Sequence, residues 1–129
     1  MARDDLTGFQ PTPQDDPIKQ RRLMLLDALY DESRFPLQCQ GIMYERRSSE
    51  KHAYCALGVA SVVAGLDTQM IYNLPDVCMR TIQPYYAISD ELGNLIINLN
   101  DDKGWSFQQI ARWMADEWGL YDWKPPVKE

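Results

Sequence analysis

Apolar residues fall into blocks separated by polar punctuation, and the spacing inside each block changes along the chain. Ile18, Leu25, Leu26 and Leu29 recur at helical intervals behind Asp16, which can cap, and Pro17, which suits a first helical turn. The pattern predicts a helix over Pro17 to Tyr30 with Lys19, Arg21 and Arg22 on its wet side. From Tyr54 to Ala64 almost every position is apolar and several are small, so no polar face remains. This segment is expected to be the central buried helix, ended by Gly65 in the left-handed conformation. Asn73 to Asp76 opens a helix over about Leu74 to Gln83, which Pro84 should stop, because it lacks an amide hydrogen and clashes with the preceding turn. Ser89, Asp90 and Glu91 start another, with a stripe of Leu92, Leu95, Ile96 and Leu99 and a weak point at Gly93. Ser106 and Gln109 have the spacing of a capping box, and Trp105 and Ile110 that of a hydrophobic staple. The helix they open turns Phe107, Ile110, Ala111 and Met114 inward and ends at Gly119.

Between the first two helices, Gly41 to Arg46 has strand character, Arg47 to Glu50 reads as a turn and Lys51 to Tyr54 as its return. The expected fold is therefore mainly α with a minor β part: about five helices around a central apolar helix, and one small β-hairpin. Residues 1–16, with Pro11, Pro13 and four aspartates, are too poor in apolar groups to repay ordering and are expected to form a mobile arm. Residues 17–120 make a single compact helical domain. Residues 121–129 make a tail from which Tyr121 and Trp123 can fold back.

Composition narrows the function classes. The chain has 129 residues, 45% of them hydrophobic, which fits one domain with a real core and excludes disorder throughout. Its 19 acidic and 13 basic side chains give a net charge of −6. That balance argues against direct nucleic-acid binding, whose affinity comes from neutralising phosphates, and suits a basic protein partner. The three cysteines form no CxxC pair, so neither a disulfide scaffold nor a zinc site is expected, and no cofactor is implied. No stretch approaches the roughly 18 to 20 apolar residues of a spanning helix, and residues 1–16 hold no apolar leader. The expected setting is the reducing cytoplasm, away from membranes.

Four constellations could carry chemistry. Cys55, at a helix start with His52 three residues earlier, has the residue types of a thiol nucleophile and its base. The competing reading is a small core cysteine beside a turn histidine, because free cysteine is among the most buried residue types. Asn100, Asp101 and Asp102 followed by Gly104 suggest a calcium loop. With Gly104 as the sixth position, however, the first, fifth and twelfth fall on Leu99, Lys103 and Ile110, which cannot supply the anionic oxygens. A turn in which Asn100 and Asp101 satisfy helix-end backbone groups, next to an aromatic recognition residue in Trp105, fits better. Leu95 to Trp118 has a helix-turn-helix outline, but Arg112 alone faces Asp116 and Glu117 in its second half, so charge decides against DNA. Arg46, Arg47 and Lys51 near the turn could hold a phosphate or carboxylate, Arg46 and Arg47 with an aromatic such as Tyr44 or Trp105 if the ligand is a nucleotide, or could simply be the solvated charges of a hairpin.

Tyr54-Cys55-Ala56-Leu57-Gly58-Val59, then Leu74-Pro75, then Leu99-Asn100-Asp101 with Gly104-Trp105-Ser106-Phe107 and Ile110-Ala111, resemble a family of small uncharacterised bacteriophage and prophage proteins. Its members read YCCLGV, a later LP, and LND followed by a G-x-SF-x-x-IA segment. The resemblance spans Leu25 to Trp118. It breaks at Ala56, where the family has a second cysteine, and at Ala60-Ser61, where it has Leu-Cys, so clustered thiol chemistry is not carried over. What the resemblance implies is a phage accessory setting. The expected function is an acidic, non-catalytic protein that binds and modulates, as an inhibitor, a host protein such as a defence or gene-expression factor. Asn100, Asp101, Asp102, Trp105, Arg46 and Arg47 are its candidate contact residues. Two other readings stay open: a Cys55-dependent hydrolase or transferase with His52, and a protein that binds or sequesters a small nucleotide.

Overall fold

The structure, a computed structural model, describes residues 16–126. The expected arm therefore lies, but for Asp16, outside the described residues. The chain runs α1 (Pro17–Tyr30), β1 (Tyr44–Arg46), β2 (His52–Tyr54), α2 (Ala56–Val63), α3 (Thr68–Asn73), α4 (Pro75–Tyr86), α5 (Asp90–Ile97), a π-helical turn (Asn98–Asp102) and α6 (Phe107–Glu117). This is a mainly α fold with one small antiparallel hairpin, as the hydrophobic pattern predicts. The helix beyond the expected five is α3, whose six residues are too short to show a periodic stripe, although Asp67 caps it by accepting from the Met70 amide at 2.8 Å.

Capping chemistry sets the boundaries. Asp16 accepts from the amides of Ile18 and Lys19 at the start of α1, Ser89 from Leu92 in α5, and Ser106 and Gln109 close their capping box on α6. Gly65 and Gly119 take positive φ just past α2 and α6, each followed by a backbone bond that reaches back over the last turn.

The core centres on α2, where Ala56 to Ser61 are buried in succession. Leu25, Leu26 and Leu29 of α1, Ile82 and Tyr86 of α4, Ile96 of α5 and Ile110 and Met114 of α6 close around it. The small residues of α2 allow the close approach. A Cβ on Gly58 would run into the carbonyl oxygen of Met43, which already accepts from the Cys55 amide at 3.0 Å.

Three expectations need correction. Pro84 does not stop α4, which continues to Tyr86. The proline sits in the final turn, so it removes one late helical bond, and the end is closed by Ile88 N–H to Gln83 O at 2.7 Å and Ala87 N–H to Pro84 O at 3.4 Å. Ala87 takes a φ of 55° to allow this. Arg21 and Arg22 are not a wet face. They donate to the carbonyls of Tyr85, Tyr86 and Ala87 and lie over the rings of Tyr85 and Trp118, so α1 supplies cations to the negative end of α4. Burial lowers the pKa of Arg22, with the opposing pull of Asp16 smaller. Leu95, placed in the α5 stripe, faces outward at 45% exposure.

In the described part of the tail, Trp123 folds back onto α1, donating to Asp27 at 2.9 Å and meeting Tyr30 edge-on. Tyr121 does not, and is 78% exposed. Among the described residues no helix is long and apolar enough to cross a membrane.

Candidate functional site

The sequence-predicted residues divide between the core and several hollows, two of which lie on either side of Ile42 beside the hairpin. Cys55 is the N-cap of α2, where its Sγ accepts from the Gly58 amide at 3.4 Å. It is 7% exposed, and burial pushes its thiol up to about 12. A thiol held protonated in this way is a poor nucleophile at neutral pH. His52 is engaged elsewhere: its Nδ1 bonds the Tyr44 hydroxyl and its ring stacks on Tyr44 at 5.7 Å. The two residues share no hydrogen bond and line different hollows. Cys39 and Cys78 are also buried and free, and burial raises both thiols, Cys39 to about 11.

Asn100 is a structural hub, with its side chain satisfied on all four sides. Its Oδ1 accepts from the Ala56 amide at 3.1 Å and from Gln38 Nε2 at 2.9 Å, while its Nδ2 donates to the Cys39 carbonyl at 2.9 Å and to Asp101 at 2.8 Å. One amide thus ties the start of α2 to the loop before the hairpin and to the end of α5. Asn100 lies in the π-helical turn that follows α5, where it and Leu99 are both buried. Gln38 completes the clasp by donating to the Trp105 carbonyl at 2.7 Å. Nothing in the local sequence marks Gln38, because its partners are more than sixty positions away.

The remaining candidates are spread out. Asp102 accepts from Asn98 at 2.8 Å. Trp105 is half-buried and faces a shallow hollow at the α6 end with Trp113 and Trp123. Arg47 pairs with Glu45 at 2.9 Å. Arg46 lies opposite His52 across the hairpin and beside a different cleft from the one that Asp101 borders.

Asp101 sits on the lip of the first hollow, a groove of about 230 Å³ between the loop before β1, the start of α4 and the end of α5. Leu57, Met79 and Ile96 are among its apolar lining, with Asp76 at its other polar edge. Ile42 and Ile97 line it while remaining 43% and 38% exposed, and Leu74, next to Pro75 of its rim, is 50% exposed. The sequence signal for this groove was the LP pair and the end of the α5 stripe, but only the fold brings Ile42 to them. Among the described residues no cluster of three or more His, Cys, Asp and Glu side chains is placed to hold a metal ion. No protein-family model, curated protein or solved structure matches the chain.

Proposed function

We propose that this chain is a non-catalytic accessory protein of the phage kind, which binds a host protein and inhibits it through the groove between α4 and α5. One observation carries the reading: Ile42 and Ile97, both exposed, line an apolar groove that also has the carboxylates of Asp76 and Asp101 in its lining. Large apolar side chains left in water around a concave surface mark protein contact surfaces more often than isolated ones do. The partner segment that fits is an apolar anchor flanked by Lys or Arg, drawn by Asp76, Asp101 and the net charge of −6. The resemblance to phage proteins supplies the biological setting. Its motif residues supply the frame: Cys55 and Gly58 shape the start of α2, and Asn100 fastens it.

The test is capture from a bacterial host lysate on the immobilised protein, repeated with Ile97→Asp and with Tyr121→Asp as a control away from the groove. A saturable host protein should be retained by the wild type and the control and lost with Ile97→Asp. It should also elute as salt rises, because rim charges are screened. Failure to retain any saturable partner, or retention indifferent to Ile97→Asp, would contradict the proposal.

A further inference from the structure

The second hollow lies on the other side of Ile42, between the hairpin and α3, and encloses about 750 Å³. That is within the size range of small-molecule sites, which run to about 1,000 Å³. Its chemistry differs from that of the groove. Strand alternation puts Tyr44, Arg46 and His52 on one hairpin face, with Arg46 directly opposite His52. The Tyr44 hydroxyl fixes the imidazole through Nδ1, and His52 Nε2 has no hydrogen-bond partner among the described residues. Arg46 makes no ion pair among the described residues and donates only a long 3.4 Å bond to the Ser48 carbonyl. Glu45 is the one carboxylate among the lining residues, and it is held by Arg47. In a molecule of net charge −6, this leaves an unspent guanidinium in a concave site. The facing wall is aromatic: Tyr72 of α3 is 60% exposed and stands at 89° to Tyr44, so its ring is open to a stacking ligand. Thr68, Gln69 and Asn73 on the same helix offer donors and acceptors within the cleft.

We infer that this cleft binds a planar heteroaromatic carrying a phosphate, of the nucleoside monophosphate class. The phosphate meets Arg46 and the free edge of His52, the ring lies against Tyr72, and α3 hydrogen-bonds the ring edge. Guanidinium recognises phosphate through a two-pronged, charge-assisted contact, and an exposed tyrosine face stacks any base. The cleft and the groove use different side chains apart from Ile42, so ligand binding here does not depend on the docking proposal.

The test is titration of the full chain with AMP, GMP, CMP and UMP by calorimetry, with adenosine and inorganic phosphate as separate arms. At least one monophosphate should bind saturably and more tightly than either fragment. Arg46→Ala and Tyr72→Ala should each weaken it by roughly tenfold or more, as loss of a charge-assisted contact or of a stacking partner does. Both side chains are exposed, so unchanged melting of the unliganded variants checks that the fold is intact. Ile97→Asp should leave the affinity unaltered. Absence of binding by every monophosphate at millimolar concentration, equal binding by the Arg46→Ala and Tyr72→Ala variants, or loss of binding with Ile97→Asp would overturn the assignment.

Discussion

Gly58 and Asn100 show how single residues set the geometry of the chain. Gly58 is helical, so it is not there for backbone freedom; it is there because the Met43 carbonyl occupies the space of a side chain. Replacing it with Ala forces α2 away from the loop before the hairpin. Gly58→Ala should cost on the order of 3 kcal/mol, read from urea unfolding, as overpacking against backbone does. Asn100 is 1% exposed and its partners include the backbone of Ala56 and Cys39. Asn100→Ala leaves that amide and that carbonyl buried without partners, and the same unfolding measurement should register a loss of about 2 to 4 kcal/mol. The Asn-Asp-Asp stretch does suggest a polar site to a reader of the sequence. The fold spends its first residue on holding α2 in place.

At the scale of elements, the helices whose ends carry their own signals are the legible ones. Asp16 with Pro17, Ser89, Ser106 with Gln109, Gly65 and Gly119 each act within a few residues, so local chemistry is enough to place them. What was not legible depends on distance. Arg21 and Arg22 read as solvated charges until α4 is seen to end above them. The groove needs Ile42, Pro75 and Ile97 from three separate segments, and the hairpin cleft needs α3, which periodicity does not reveal. The end of α4 offers a direct test. Ala87 carries positive φ, a conformation that costs an L-residue with a Cβ about 1 kcal/mol and glycine almost nothing. Ala87→Gly should therefore raise stability by up to about 1 kcal/mol, visible as a higher denaturant midpoint with unchanged slope.

Across the whole molecule, Cys55, Gly58, Asn100 and Phe107 lie inside, whereas Ile42, Arg46, Tyr72 and Ile97 face outward. Cys55, Gly58, Asn100 and Phe107 join α2, the loop before the hairpin and α6 into a frame, while the exposed apolar and cationic side chains sit on either side of Ile42. The interior character of the Cys55 thiol holds this arrangement together, and alkylation by iodoacetamide reads it directly. With burial holding that thiol up to about 12, the thiolate is scarce at neutral pH and gains population only as the pH rises toward that value. In the native protein at neutral pH, site-resolved labelling of Cys55 should be far slower than in the denatured chain, and should accelerate when Asn100→Ala loosens the frame. Native labelling as fast as that of the denatured chain would contradict the account and restore Cys55 as a nucleophile.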